Sequence, residues 1–284
     1  MDILDIKSLS TIGRPLDWNF KTNRIITFVT LFVVAGGAAF RWVQGGAFLQ
    51  GFAWGVGAGL SVFLAWALSR ELDPDHDIAA FFGSGLALAG VLVWGPPGFL
   101  PVFWMLLMLR VINRTTGLPA SLMDSLVLIA LSVWLVLKVN WGFGLLTAAA
   151  IACDELLLPR KKRQPSFALL PVIGTVILLI VKPDVLGLPA GLFRPGGAAV
   201  LMSLFFLPVL VGVRSFQSRG DLTGEPLNLP RVIAAQFLGL ITGIWMAFWN
   251  GFSGIHTLLP FWSAVLGATM FALFKILFPP AQNR

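Results

Sequence analysis

The 284-residue sequence has no tyrosine, one cysteine (Cys153) and two histidines (His76 and His256). The absence of tyrosine excludes a tyrosine nucleophile, and a single cysteine excludes an internal disulfide or a multi-cysteine zinc or iron–sulfur site. Because the two histidines lie far apart in the chain, we also expect no haem and no metal centre built on imidazole. Any metal chemistry must therefore depend on carboxylates.

Charged residues are also scarce, at 12% of the chain, whereas 57% of the residues are hydrophobic and the mean hydropathy is +0.86. Ordinary soluble domains have about 25% charged and about 45–50% apolar residues. A helix needs about 20 apolar residues to cross a bilayer. The composition therefore predicts an all-α fold, a polytopic bundle of transmembrane helices whose partner is the lipid bilayer.

Apolar runs alternate with short polar or Gly/Pro breaks from Ile25 onward, and they predict ten spans, with eight as the lower limit. The spans are approximately 25–42, 47–69, 78–95, 98–113, 119–138, 141–157, 167–182, 197–213, 231–250 and 257–278. We expect residues 1–24 to be a cytoplasmic segment, either an interfacial helix or a frayed tail. Residues 25–278 form a single transmembrane domain in this prediction, and residues 279–284 form a cytoplasmic tail.

Basic residues accumulate in the short cytoplasmic loops of membrane proteins. If the N-terminus is cytoplasmic, sixteen of the twenty Lys and Arg residues fall in cytoplasmic segments and four fall outside. This asymmetry predicts that both termini are cytoplasmic, and we expect a bacterial or archaeal cytoplasmic membrane. The net charge of +7 is then an orientation signal. Since no basic domain stands outside the membrane, we expect no nucleic-acid partner.

Four carboxylates, those of Glu71, Asp73, Asp75 and Asp77, lie within seven residues at the predicted cytoplasmic end of the second span. Like charges this close repel one another unless a cation is bound, and hard oxygen ligands suit Mg²⁺. We therefore predict Asp73, Asp75 and Asp77 as Mg²⁺ ligands, and Glu71, Asp73 and Asp77 as catalytic residues. The alternative is helix capping, with Asp73 at the N-cap, Pro74 at the first helical position and the later acids in the first turn.

The spacing of Asp73 and Asp77 resembles that of the aspartate-rich motifs of intramembrane prenyltransferases. The sequence departs from those motifs because Ser69 replaces the upstream asparagine, Pro74 interrupts the segment and no second such motif occurs. The resemblance therefore assigns no family. We interpret His76, which lies between these acids, as a solvated loop histidine rather than a ligand.

A second polar cluster follows the fourth span, where Arg110, Asn113, Arg114 and Gly117 share one face if the helix continues that far. Guanidinium groups bind phosphate and carboxylate groups in a bidentate manner, so we predict an anionic substrate here. The predicted substrate-binding residues are Arg70, Arg110, Asn113, Arg114, Thr115 and Asp124. The alternative is that the arginines reach to lipid headgroups and anchor the helix.

Asp124 has two interpretations. Ser121 and Asp124 fit a capping box at the start of the fifth span, and Asp124 can also pair with Arg110. The basic run 160–163, further along the chain, is interpreted as a stop that binds lipid headgroups.

Asp154 is the remaining predicted catalytic residue, and it also has two interpretations. With Glu155 it can complete a metal site, or it can pair with Arg114 or Arg70. Both interpretations place a carboxylate at the predicted cytoplasmic face.

Carboxylates and arginines at one membrane face are the groups needed for Mg²⁺-assisted chemistry on a phosphate. The first hypothesis is therefore an intramembrane transferase or hydrolase that acts on a phosphorylated lipid or isoprenoid. The alternatives are a transporter in which the same residues form a cytoplasmic gate of salt bridges, and a non-catalytic membrane subunit. The sequence leaves open whether the protein is an enzyme, and it does not predict an oligomeric state.

Overall fold

The computed structural model describes residues 10–158, 165–183, 189–191, 194–212 and 215–278. The protein is all-α, since 77% of the described residues are helical and none of them lies in a strand. The basic run 160–163 and the predicted tail 279–284 lie outside the described residues, as do residues 1–9 of the predicted N-terminal segment. Residues 10–20 of that segment contain no helix.

Eleven α-helices and one short 3-10 helix, Pro165–Ala168, are found in the described part of the chain. The α-helices are α1 (Lys21–Val43), α2 (Phe48–Leu72), α3 (Asp77–Trp94), α4 (Phe99–Asn113), α5 (Leu122–Lys138), α6 (Gly142–Leu156), α7 (Leu169–Val181), α8 (Arg194–Phe205), α9 (Leu207–Gly212), α10 (Leu229–Thr257) and α11 (Leu259–Leu277). Each of the ten predicted apolar segments coincides with helix, the eighth being divided between α8 and α9.

Six helical segments of the described chain are long and apolar enough to cross a membrane. They are Lys21–Val43, Phe48–Leu72, Asp77–Trp94, Arg194–Gly212, Leu229–Thr257 and Leu259–Leu277. Phe99–Asn113 and Leu169–Val181 are also apolar but shorter. These helices are consistent with an integral, multi-pass membrane protein, while the total of ten spans and the orientation of the termini stay predictions.

The chain divides into two compact units. Unit 1 comprises Met1–Pro15, Phe103–Ala199 and Arg214–Ile255, and unit 2 comprises Leu16–Val102, Val200–Val213 and His256–Arg284. Each unit therefore gathers segments that are distant in sequence.

In unit 2, α2 packs closely against α1 through three glycines at four-residue spacing, Gly51, Gly55 and Gly59. A Cβ atom at Gly55 would lie 2.3 Å from the carbonyl oxygen of Val34 and 2.7 Å from the amide nitrogen of Ala38. Small residues at such spacing let helix backbones approach one another, which is how helices associate within a bilayer. The opposite face of α2 is buried against α3 and α11.

The outer face of α1 consists of large apolar side chains that the protein does not cover. Phe28 is 62% exposed and Phe32 is 79% exposed. Such a surface is unfavourable in water and suits the hydrocarbon of a membrane. This helix therefore indicates that the lipid bilayer is a partner of the protein.

In unit 1, α6 packs against α5 and α7. The buried side chain of Trp104 crosses to α6, where its ring meets Phe143 edge-on at 4.8 Å and its Nε1 donates to Thr147 at 3.0 Å. The capping box predicted at the start of α5 is confirmed. Ser121 Oγ accepts from the amide of Asp124 at 3.1 Å, and the Asp124 carboxylate accepts from the amide of Ser121 at 2.7 Å.

The predicted ends of the third and fourth spans lie within one residue of the helices, but two conditional interpretations of the loop residues do not fit the structure. α4 does not continue to Gly117 but ends at Asn113, because Arg114 adopts φ 53° and turns the backbone out of the helix. α3 begins at Asp77, with His76 at the N-cap position, so Asp73 is not the N-cap and Pro74 is not the first helical residue. Asp73 instead ends α2, where its amide donates to the carbonyl of Ser69 at 2.8 Å.

Candidate functional site

Unit 1 contains a buried cluster of two arginines and one aspartate, Arg114, Asp154 and Arg231, which we call the arginine cluster. Arg114 Nε donates to Asp154 Oδ1 at 2.6 Å, and Arg114 Nη2 donates to the backbone carbonyl of Asp154 at 2.7 Å. Arg231 Nη1 lies 3.3 Å from the same Oδ1, and its Nη2 lies 3.0 Å from the same carbonyl oxygen. Of the two interpretations of Asp154, the structure contains the pairing with Arg114, and Arg231 is a third member of the cluster.

All five N–H groups of the Arg231 guanidinium donate hydrogen bonds to atoms of the protein. Besides Asp154, its guanidinium donates to the carbonyls of Leu158 at 3.1 Å, Ile112 at 3.2 Å and Leu157. Ile112 lies in the last turn of α4 and Asp154 in the last turn of α6, while Leu157 and Leu158 directly follow α6. The last four carbonyls of a helix lack partners within it, so Arg231 caps two helices at once and has no N–H left for a ligand.

The charges of the arginine cluster are balanced by the protein itself. The three side chains carry two positive charges and one negative charge, and a buried net charge is costly unless it is paired. Each helix C-terminus carries about half a negative charge, and the ends of α4 and α6 both meet Arg231. The arginine cluster therefore has no uncompensated positive charge that would attract a phosphate.

The backbone of Arg114 lies in the left-handed region, at φ 53°. A residue other than glycine in this region stores about 1–3 kcal/mol, which the surroundings must offset. The amide of Arg114 donates to the carbonyl of Arg110 at 3.0 Å, and the amide of Gly117 donates to the Arg114 carbonyl at 2.7 Å. The side-chain bonds to Asp154 complete this restraint.

Two further segments cover the turn that follows α4. In the first, Thr116 Oγ1 donates to the carbonyl of Thr11 at 2.6 Å. In the second, a hairpin over residues 215–228, Asp221 donates its amide to the carbonyl of Thr115 at 3.2 Å. Arg14 joins the two segments, because its Nε and Nη2 meet the carboxylate of Asp221 at 2.6 and 2.9 Å. Thr115 and Thr116 are thereby buried.

Asp124 holds the N-terminal segment against the start of α5. Its Oδ2 accepts from both the amide and the hydroxyl of Thr11 at 2.9 Å. Asp124 lies outside the six candidate membrane spans. Burial raises the pKa of this carboxyl, but hydrogen bonds from Ser10, Thr11 and Ser121 together outweigh burial, so its pKa lies below the ordinary value.

Unit 2 contains a second cluster at the turn between α2 and α3, and His76 is its centre. The Nδ1 atom of His76 lies 2.8 Å from Asp73 Oδ1, and its Nε2 atom lies 2.8 Å from Lys275 Nζ. An ammonium group can only donate, so Nε2 accepts from Lys275 and Nδ1–H donates to Asp73. Asp73 is 4% exposed, whereas the His76 side chain is 30% exposed. A buried carboxylate thus fixes the orientation of a partly accessible imidazole.

The other residues of this turn also meet cations or the protein interior. Arg70 Nη2 lies 3.2 Å from Asp77 Oδ1, and the Arg70 guanidinium stacks over the ring of Trp66 at 5.4 Å. Glu71 is buried and Asp75 is partly exposed. Among the described residues, no group of three or more His, Cys, Asp or Glu side chains is arranged to hold a metal ion. The assignment of Asp73, Asp75 and Asp77 to Mg²⁺ therefore stays a prediction.

The predicted substrate residues of α4 are distributed over its last turn. Arg110 is half-buried, and Asn113 is 1% exposed and ends the helix. The shared helical face predicted for Arg110, Asn113, Arg114 and Gly117 does not form beyond Asn113, because the chain leaves the helix at Arg114.

Sequence reasoning missed Arg231, Lys275 and the role of His76. Arg231 had a usable signal: it lies in the first turn of an apolar helix, where the positive end of the helix dipole disfavours a cation. A cation there requires partners elsewhere. Lys275 gave no such signal, since a lysine near the C-terminus of a helix is ordinary, and its contact with His76 spans 199 residues.

Comparison of the chain with protein-family models, with curated proteins and with solved structures finds no match.

Proposed function

We propose that the protein is an intramembrane transferase or hydrolase that acts on a phosphorylated lipid, with His76 as its general base. The observation that carries the proposal is the contact between Asp73 and His76, in which a buried carboxylate orients a partly exposed imidazole at 2.8 Å. This is the arrangement by which a carboxylate fixes the tautomer of a catalytic histidine and stabilises its protonated form.

The position of the turn supports a lipid substrate. α2 and α3 are both candidate membrane spans, and only residues 73–76 join them. A turn between two spans lies at a membrane surface, because exposed irregular backbone is not tolerated in hydrocarbon. A lipid can present its headgroup there while its tail remains in the bilayer.

The cations near this turn support an anionic headgroup. Arg70 precedes the turn and Lys275 contacts His76. Phosphate oxygens accept charge-assisted hydrogen bonds from both residue types. In this proposal His76 removes a proton from water or from an acceptor alcohol, while Arg70 and Lys275 bind the phosphate.

The test is phosphate release from dodecyl phosphate and dodecyl diphosphate in detergent micelles by the purified protein. General base catalysis contributes about 10²–10⁴-fold, so we expect His76→Ala to lower kcat by at least about 10²-fold and Asp73→Asn to lower it as well. His256→Ala is the matched control, since the Nε2 of this histidine meets the carbonyl of Gly95 at 3.0 Å instead of a carboxylate. Full activity of the His76 variant, or no release from either probe, would overturn the proposal.

Magnesium dependence is a separate proposal that rests on the sequence alone. If Asp75 and Asp77 bind Mg²⁺, the ion raises the unfolding temperature of the wild-type protein but not that of the Asp75→Asn, Asp77→Asn double variant. Asp221→Asn is the control, because this exposed acid belongs to unit 1. Equal Mg²⁺ effects in all three proteins would contradict the metal site.

A transporter is the second candidate, and the strained backbone of Arg114 favours it. In a gate, release of Asp154 would let Arg114 relax from φ 53°. Cys153 is adjacent to Asp154 and partly buried, and no other cysteine exists in the chain. If the arginine cluster is a gate, Asp154→Asn increases the rate at which N-ethylmaleimide modifies Cys153. An unchanged rate would indicate a permanent structural clamp.

A further inference from the structure

The ammonium of Lys275 contacts Nε2 of His76, the atom that must accept a proton if His76 is a general base. Asp73 engages Nδ1, and the ammonium of Lys275 lies 2.8 Å from Nε2. A neutral imidazole has one lone pair, and in this tautomer that lone pair is on Nε2. In the conformation described here, His76 therefore has no nitrogen available to accept a proton.

The Lys275 side chain is placed so that it can move away. Lys275 is exposed in the last turn of α11. Besides its contact with His76, its ammonium lies 5.8 Å from the ring centre of Phe271. The lysine side chain is a flexible four-carbon stem that carries a compact charge. Phe271 also lies 5.3 Å from the His76 ring, so the imidazole keeps a packing partner when the ammonium leaves.

An anion would compete for Lys275 with an advantage over His76. The present partner of the ammonium is a neutral imidazole, whereas a phosphate is negatively charged, so the attraction between opposite charges adds to the hydrogen bond. The carboxylate nearest the imidazole, Asp73, is already bound to Nδ1 and is 4% exposed. A phosphate that reaches the turn is therefore the stronger acceptor for Lys275.

We propose that Lys275 is a cap on the base, and that a phosphate headgroup removes it from His76 and thereby exposes the Nε2 lone pair. The proposal rests on the proposed function, since it concerns the same site. Lys275 would thus leave His76 available as a base when an anionic substrate is bound and keep its Nε2 blocked at other times.

With water or an alcohol as the acceptor, Nε2 takes the O–H proton, and the acceptor oxygen forms a bond to phosphorus. The bond from phosphorus to the leaving oxygen breaks, and its electron pair goes to that oxygen. The proton held on Nε2 passes to the leaving oxygen, which returns His76 to its starting form.

Diethyl pyrocarbonate tests the cap directly, because it acylates an imidazole nitrogen that has an accessible lone pair. The rate at His76 is measured by mass spectrometry on the full-length protein in detergent, with His256 as the internal reference. We expect Lys275→Met to increase the rate at His76 about tenfold and to leave the rate at His256 unchanged. An unchanged rate at His76 in this variant would overturn the proposal, because the lone pair would not have been blocked.

The second arm adds a phosphate probe to the wild-type protein. Dodecyl phosphate is expected to increase the rate at His76 in the wild-type protein and to have no such effect in the Lys275→Met variant. If inorganic phosphate has the same effect at equal concentration, the anion is free phosphate; if only dodecyl phosphate acts, it is a lipid headgroup. A rate that neither probe increases would overturn the proposal.

The outcome is distinguishable from a failure of the proposed function. If the acylation rates change as expected but neither dodecyl substrate releases phosphate, the cap exists and the assigned reaction is wrong. If phosphate is released and the acylation rates stay constant, the reaction stands and Lys275 is not the cap.

Discussion

Arg231 and Asp154 are joined twice, once through the Asp154 side chain at 3.3 Å and once through its backbone carbonyl at 3.0 Å. The second contact matters because it belongs to the C-terminal end of α6, where carbonyl groups need external donors. One guanidinium thus satisfies a carboxylate and two helix ends. The arginine cluster is as much a helix cap as an ion pair.

We expect Arg231→Met to destabilise the protein strongly. The methionine would leave the carbonyls of Ile112, Leu157 and Leu158 without this donor, and removal of one partner from a buried pair costs about 3–5 kcal/mol. The measurement is the free energy of unfolding during SDS titration in mixed micelles.

Arg231→Lys is the matched control for that variant. Lysine keeps the positive charge but offers three donors in place of five, so its loss of stability should be intermediate. If both variants unfold at the wild-type SDS concentration, the five hydrogen bonds of Arg231 do not hold α4 and α6.

The close contact between α1 and α2 gives a second prediction. Gly55→Ala puts a methyl group 2.3 Å from the carbonyl oxygen of Val34, and overpacking of this kind costs about 1–3 kcal/mol. Gly36→Ala in α1 is the control, since a Cβ there meets no heavy atom within 4 Å. We expect the unfolding temperature to fall in the first variant only. An equal fall in both would show that loss of glycine itself is responsible.

The helices could be predicted from the sequence because each is a continuous apolar run, and composition alone marks such a run. The end of α4 at Asn113 matches the predicted span 98–113, but the left-handed conformation of Arg114 could not be predicted, since it contradicts the local preference of the residue type. Its conformation depends on Asp154, which is 40 residues away. Local signals therefore located the helix and its end but not the conformation of the residue that follows it.

The same limit explains what was missed in the candidate site. The pairing of Arg114 with Asp154 could be proposed because both residues end predicted spans on one face. Capping of α3 by Asp73 was one of two interpretations of the acidic segment, but its carboxylate contacts the His76 imidazole instead of the helix amides. A short acidic segment is compatible with both arrangements, and the choice between them involves Lys275, which lies 199 residues from His76.

The lowered pKa of Asp124 predicts that the stability of the folded protein depends on pH in the acidic range. Its pKa is lower in the folded protein than its ordinary value of 3.8, since hydrogen bonds from Ser10, Thr11 and Ser121 outweigh the opposing effect of burial. A lowered pKa contributes stability above the unfolded value, and this contribution is lost as pH falls through the folded value. We expect the wild-type protein to lose stability as pH falls below about 4.

The comparison for this prediction is Asp124→Asn, measured over the same pH range. Asparagine keeps one oxygen acceptor but does not titrate, so this variant should be less stable near neutral pH and lose less stability on acidification. Parallel curves for the two proteins would mean that another group causes the acid dependence.

The charge asymmetry predicts which face each loop occupies, and cysteine labelling tests it. In a Cys153→Ser background, Gln44→Cys reports the loop between α1 and α2, and Thr223→Cys reports the hairpin over residues 215–228; both positions are exposed. We expect a membrane-impermeant maleimide to label position 44 in intact cells and position 223 only after permeabilisation. The opposite result would place the turn over residues 73–76 on the outer face. The proposed base would then meet headgroups of the outer leaflet, and the distribution of basic residues would need another explanation.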